Sequence, residues 1–301
     1  MKLTRRARLA RRAIPLFVKD ADTPLDERRA AMERVDRLPR PRRVDYEDTT
    51  VGGVPAIVAT PTAGEAPRHV LYLHGGGYVL GSPRTHISMC ARLARRADAV
   101  VTVIDYRLAP ENPYPAAVDD AVAAYRDLVG RVGASRLAVA GDSAGGGLTL
   151  AMLCALRDAG DELPACAYLL SPWTDLTGSG ESVLGRDEID PMIDGRQLQD
   201  VARLYAGDVA LDHPGVSPLF ADLAGLPPML VQTGTHEVLL SDSVRLVERL
   251  TEAGVPVEFD LAEGMWHVYP TFAGLVPEAD AALVHAARFI RARTHPLAAL
   301  T

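Results

Sequence analysis

Short, unbroken apolar runs recur along residues 54–259, and most hand over to a stretch of helical character. The runs are Val54–Ala59, His69–His74, Ala99–Ile104, Arg136–Ala140, Ala165–Leu170, Met229–Thr233 and Val255–Phe259. Runs that stay apolar at successive positions, rather than alternate ones, suit strands covered on both faces. Helical stretches are read at 86–96, 116–129, 145–158, 241–253 and 277–294. This alternation predicts an α/β fold, with a mostly parallel central sheet flanked by helices. Residues 176–226 break the rhythm. They are rich in Gly, Asp and Pro, carry one helical stretch near 197–205, and are too long for a plain connection. They read as an insertion over the sheet. There is no internal repeat and no low-complexity tract.

Composition narrows the class. At 301 residues, 48% hydrophobic and 24% charged, the chain has ample apolar surface to offset chain entropy. The charge-free stretch 69–83 is broken by glycines and falls short of the ~20 residues of a spanning helix. The apolar run 13–18 is interrupted by Pro15 and followed by Lys19 and Asp20, which argues against a secretory signal. Cys90, Cys154 and Cys166 are odd in number, with no CxxC pair. That pattern fits buried thiols in a reducing compartment, hence a cytoplasmic protein, rather than a disulfide scaffold or a zinc site.

Charge is unevenly placed. The net value is −7, yet residues 1–43 hold 14 basic and 6 acidic residues. A basic arm on an acidic body can signal nucleic acid or anionic membrane. Here Arg5, Arg6, Arg8, Arg11 and Arg12 sit among Leu3, Leu9, Ile14, Leu16 and Phe17, as in a short amphipathic helix. The preferred reading is an arm docked on its own acidic body, with no nucleic-acid partner and no integral membrane association.

Gly141-Asp142-Ser143-Ala144-Gly145 is a G-x-S-x-G motif. It follows a predicted strand and opens a predicted helix, the setting a nucleophile elbow requires. The serine must sit on a sharp turn, so its neighbours two residues away must lack a Cβ. A phosphate-binding loop is the competing reading, but no Lys follows these glycines and no GxGxxG is present. After the run ending at Leu73 comes His74-Gly75-Gly76-Gly77-Tyr78. Glycines let a loop aim consecutive N–H groups at one point, as stabilising an oxyanion demands. The donors read from the sequence are Gly75, Gly76 and Ala144, the residue after the nucleophile. His74 reads as a hydrogen bonder that fixes the loop.

In an α/β-hydrolase the acid and then the histidine follow the serine. Of eight histidines, His267 comes just after the last predicted strand, where a loop can reach back towards Ser143. His285 lies within a predicted helix and His295 in the tail. For the acid, Glu237 stands just past the run 229–233, and Asp242, five residues on, is its rival. Tyr78, Trp173, Leu204 and Tyr205 are candidates both for lining a substrate pocket and for core packing.

The chain resembles the hormone-sensitive-lipase-like bacterial esterases, the HGGG or family IV group of α/β-hydrolases. The matching text is Leu73–Tyr78, Asp105–Glu111, Gly141–Gly146, Ser171-Pro172-Trp173 and Gly264–His267. The resemblance implies hydrolysis of short- to medium-chain carboxylic esters without a cofactor or metal, and a homodimer. It also implies a cap built from N-terminal helices and an insertion, matching residues 1–42 and 176–226, over a catalytic domain spanning 43–301. Many members carry Asp where this sequence has Glu237, while some use Glu. A lactone, carbamate or peptide hydrolase would use the same residues. A non-catalytic ligand-binding homologue would be expected to have lost Ser143 or His267, and both are present.

Overall fold

The computed structural model describes residues 3–16, 23–34, 40–64, 66–185 and 189–294. One eight-stranded sheet forms its centre: β1 (Val44–Val51), β2 (Val54–Pro61), β3 (Arg68–Leu73), β4 (Ala99–Ile104), β5 (Leu137–Asp142), β6 (Cys166–Leu170), β7 (Met229–His236) and β8 (Val257–Trp266). The order across the sheet is β1-β2-β4-β3-β5-β6-β7-β8, antiparallel for β1, β2 and β4, and parallel from β4 to β8.

The predicted strands are all present. β1 was not foreseen because its sequence, VDYEDTTV, alternates apolar with acidic and polar residues. That is the composition of a solvated edge, and charge there discourages edge-to-edge pairing. β8 runs on to Trp266 with its outer residues exposed, for the same reason.

Helices α3 (Pro83–Ala97) and α9 (Pro277–Arg293) cover one face, and α4 (Ala116–Val132), α5 (Ala144–Ala159) and α8 (Leu240–Glu252) the other. The two faces are built from alternate residues of single strands. In β3, Val70 and Tyr72 pack towards α3 and α9, while Leu71 and Leu73 pack towards α4 and α5. Burial on both sides explains why β3 to β6 read as continuous apolar runs.

Outside the three layers lie α1 (Arg5–Ala13), α2 (Leu25–Glu33), α6 (Ser182–Gly185) and α7 (Gly195–Ala206). α1 docks on the body of the protein, as expected. Thr4 donates from its amide and its hydroxyl to Glu278 at 2.7 and 2.9 Å. Ala7 and Ile14 are buried, whereas Leu9 is 56% exposed. Arg29 of α2 pairs with Glu111 and donates to the Val79 and Ala109 carbonyls. Phe17 lies outside the described residues, as does His295. Among the described residues no helix is long and apolar enough to cross a membrane.

The chain leaves β3 for β4 on one side and returns to β5 on the other. The carboxyl ends of β3 and β5 therefore form a topological switch point, where open α/β sheets hold their sites. Leu73 pairs with Gly141 in this register. The glycine loop after β3 and the G-x-S-x-G turn after β5 are thus neighbours by topology.

Candidate active site

Ser143 joins β5 to α5 with φ 53° and ψ −122°, a backbone conformation costly for a residue with a Cβ. The flanking glycines make the turn sterically feasible. A Cβ on Gly145 would collide with the Leu73 carbonyl, and one on Gly141 with the Gly145 carbonyl. The spacing of the motif is therefore a packing requirement between β3, β5 and α5. Gly145→Ala is expected to cost about 1–3 kcal/mol or more, since backbone must move to admit the methyl. Thermal unfolding would measure it, and an unchanged melting temperature would contradict this account.

Asp142 fixes the glycine loop to the elbow. It is 2% exposed. Its Oδ1 accepts from the Tyr72 hydroxyl at 2.8 Å and from the Gly75 amide at 3.1 Å, and its Oδ2 faces His86 Nε2 at 3.3 Å. Burial opposes charge on both partners, yet their mutual attraction wins. Asp142 stays below the ordinary carboxylate range and His86 above the ordinary imidazole.

This arrangement corrects one expectation. The Gly75 amide donates to Asp142 Oδ1 and is not an open donor. The amides of Gly76, Gly77 and Ala144 have no acceptor among the described residues. Gly76 (φ 123°) and Gly77 (φ 62°) both use conformations that favour glycine. His74 acts as the loop fixer foreseen. Its ring stacks on Tyr106 at 4.2 Å, its Nδ1 lies 2.9 Å from the Gly75 carbonyl, and burial lowers its pKa to about 3.

His267 follows β8 and Glu237 follows β7, so adjacent parallel strands deliver them side by side. His267 Nε2 lies 3.0 Å from Ser143 Oγ, and His267 Nδ1 lies 3.1 Å from Glu237 Oε2. A carboxylate facing Nδ1 accepts its proton in a hydrogen bond, which leaves Nε2 of the neutral ring to accept from the serine hydroxyl. Both side chains are almost fully buried. Burial pulls the His267 pKa down, but the hydrogen bond and charge of Glu237, with Asp190 and Asp142 assisting, raise it above the ordinary value.

Ser171, which the sequence offers only within Ser171-Pro172-Trp173, has a larger part by its position. Its hydroxyl donates to Glu237 Oε1 at 2.8 Å and accepts from the Val268 amide at 3.1 Å. One small side chain after β6 thus ties the acid to the residue after the imidazole. The available signal was its place at the carboxyl end of a buried strand.

Asp242 is elsewhere. It is fully buried, and its Oδ2 accepts from the Thr174 and Asp175 amides at 2.8 Å each. Burial pushes its pKa up to about 7, against the pull of those amides. It holds the 174–175 turn, and Glu237 alone of the two meets His267. His285 lies on α9 between Asp260 and Glu258, as a surface residue.

Three of the four pocket candidates are packing residues. Tyr78, Trp173 and Tyr205 are 1–2% exposed, and the Tyr78 and Tyr205 rings stack at 3.6 Å. Leu204, 40% exposed, does line a cavity, with Leu25, Val79 and Val201. That cavity, of about 240 Å³, lies between α2 and α7. Val201 Cγ1 would sit 2.9 Å from a Cβ on Gly77, so the cavity adjoins the glycine loop.

Comparison with known proteins bears on the fold and the family. Residues 70–271 match a family model described as the alpha/beta hydrolase fold. An "Acetyl-hydrolase" of Streptomyces hygroscopicus is 40% identical over 95% of this chain and 96% of its own length. "Esterase LipI" of Mycobacterium tuberculosis is 37% identical over 90% of this chain and 88% of its own. A crystal structure of "an esterase from the bacterial hormone-sensitive lipase (HSL) family" superposes with TM-score 0.94 at 39% identity, covering 98% of this chain and all of the other.

The chain belongs to the α/β-hydrolases, in their hormone-sensitive-lipase-like branch.

In this hydrolase Ser143, Glu237, His267 and the glycine loop all fall within the matched span. Among the described residues no group of three or more His, Cys, Asp or Glu is arranged to hold a metal ion.

Proposed function

We propose that this hydrolase is a serine carboxylesterase in which Ser143, His267 and Glu237 form the catalytic triad. The observation that carries the reading is the continuous line from Ser143 Oγ through the imidazole to Glu237, with spacings of 3.0 and 3.1 Å. Ser143 attacks the ester carbonyl while Nε2 takes its proton. The amides of Gly76, Gly77 and Ala144 receive the developing oxyanion, each such donor being worth about 3–4 kcal/mol. His267 then protonates the departing alkoxide, and a water activated by the same nitrogen releases the acid. Glu237 holds the tautomer and stabilises the imidazolium without becoming protonated.

Residues 1–42, with α1 and α2, and residues 176–226, with α7, act as a cap over the catalytic domain, which spans 43–301. The acyl chain lies in the cavity between α2 and α7, where Leu25, Val79, Val201 and Leu204 supply apolar wall. At about 240 Å³ the cavity falls below the ~300–1,000 Å³ of drug-sized pockets, which favours short to medium acyl groups. A series of p-nitrophenyl esters from acetate to palmitate tests this. The expected kcat/KM peaks at short or medium length and falls for palmitate, and a serine-directed organophosphate adds its mass at Ser143. An adduct on another residue would refute the assignment.

The pH dependence has a defined sign. A charged imidazole cannot act as base, so kcat/KM falls as pH drops through the His267 pKa. Because that pKa lies above 6.5, the acid limb should have its midpoint above pH 6.5. A midpoint well below that value would contradict the environment described for the ring.

A further inference from the structure

Val238, next to Glu237, has both of its peptide groups bonded to side chains of the 176–226 insertion. Its amide donates to Asp190 Oδ2 at 2.9 Å, and its carbonyl accepts from the Ser182 hydroxyl at 2.6 Å. The same hydroxyl accepts from the Ser241 amide at 2.8 Å, so the loop 237–241 is gripped at two points. Asp190 is itself well anchored. Its Oδ1 accepts from the Met192 amide at 2.9 Å and the Ile193 amide at 3.3 Å, and the residue is 7% exposed. Burying a carboxylate is costly, and burial raises its pKa. Both carboxylate oxygens are used, Oδ1 within the insertion and Oδ2 across to Val238, so an amide with its single oxygen could serve one side only.

We propose that Asp190 is a positioning residue for this hydrolase: it seats the loop that carries Glu237 and places a second negative charge near the His267 imidazole. The inference rests on the reading of Ser143, His267 and Glu237 as the triad. Among the described residues the charged groups acting on the ring are Glu237 from the end of β7, Asp142 from the elbow and Asp190 from the insertion, with the Ser143 hydroxyl against Nε2. Tyr269 follows on the ring's own loop. Asp190 also borders a cavity of about 520 Å³ that is lined by Arg8, Arg11 and Arg12 of α1. Arg11 donates to the Ile189 carbonyl at 2.8 Å, so α1 holds the segment that presents Asp190. Seating of the N-terminal helix is thereby linked to the geometry of the acid.

Three variants separate charge from structure. Asp190→Asn keeps the shape and removes the charge, its one oxygen serving either the Val238 amide or the Met192 and Ile193 amides. Asp190→Ala removes both. Ser182→Ala loosens the same loop and leaves the charge. The measurement is the kcat/KM profile for p-nitrophenyl butyrate between about pH 5 and 9, with kcat and KM resolved on the plateau. For Asp190→Asn the acid-limb midpoint should fall by about half a unit or more, because a lost negative charge destabilises the imidazolium. Its plateau kcat should fall less than that of Asp190→Ala, since the side chain can still accept from one of its partners. For Asp190→Ala, kcat should fall about tenfold or more with little change in KM, because the acid loses its seating. Ser182→Ala should leave the midpoint in place. An Asp190→Asn profile superimposable on the parent overturns the proposal, and so does a Ser182→Ala midpoint that moves as far as that of Asp190→Asn. Should Asp190→Ala fail to fold, the isosteric Asn variant still decides. A Ser143→Ala enzyme that keeps turnover would sink the triad reading itself. An inactive Ser143→Ala with an unmoved Asp190→Asn profile sinks only the role of Asp190.

Discussion

Ser143→Ala should lower kcat for p-nitrophenyl butyrate by about 10⁶-fold, the scale set by losing a nucleophile that works as a unit with its base. The fall should not reach the uncatalysed rate. The amides of Gly76, Gly77 and Ala144 remain, and donors of this kind with substrate binding sustain about 10³–10⁴-fold over water. KM should change little, since the hydroxyl contributes to bond making more than to holding the ester. The fold should survive. Alanine keeps the Cβ that Ser143 already carries at φ 53°, and the backbone bonds of this residue do not involve the hydroxyl. The Ser143 amide still donates to the Leu170 carbonyl and the Ser143 carbonyl still accepts from the Trp173 amide, both at 2.9 Å. Steady-state turnover of the purified variant, beside its thermal melt, checks both halves. Turnover within tenfold of the parent would mean that another group carries the acyl transfer.

Much of this was legible in the sequence because the cause was local. β3 to β6 are buried on both faces, so their residues had to be apolar in succession, and the runs could be read directly. The elbow was legible because contact among β3, β5 and α5 leaves no room for a Cβ at Gly141 or Gly145. What escaped was set by partners distant in the chain. Ser171 meets Glu237 across 66 positions, and Asp190 meets Val238 across 48, with no periodicity to announce either. The glycine loop was found, but the sequence could not say which amides were already spent. That depended on Asp142, a variable position of the motif, whose Oδ1 accepts from the Gly75 amide. Tyr78, Trp173 and Tyr205 illustrate the same limit, since an aromatic stack inside the core and an aromatic pocket wall have one composition.

The acid is where two carboxylates five residues apart must be told apart, and their environments predict opposite outcomes. Glu237→Gln keeps the shape of the side chain but places an amide against His267 Nδ1. If the amide turns its NH₂ to the ring, Nδ1 becomes the acceptor and the proton moves to Nε2, where it blocks proton removal from Ser143. If it turns its oxygen, the tautomer survives but the charge that stabilises the imidazolium is gone. A loss of about 10⁴-fold in kcat is expected, as for a triad acid replaced by its amide. Asp242→Asn should leave kcat near the parent value, because Asp242 touches the Thr174 and Asp175 amides and not the ring. Its effect belongs to stability. A buried carboxyl whose pKa is raised to about 7 from 3.8 binds its proton more tightly folded than unfolded, so its contribution to stability is lost as pH rises from about 4 through 7. The amide cannot ionise and escapes that loss. Asp242→Asn should therefore melt higher than the parent at pH 8, by the equivalent of one to a few kcal/mol, with the difference shrinking towards pH 4 (each pKa unit corresponds to about 1.4 kcal/mol). A silent Glu237→Gln beside an inactive Asp242→Asn would reverse the assignment.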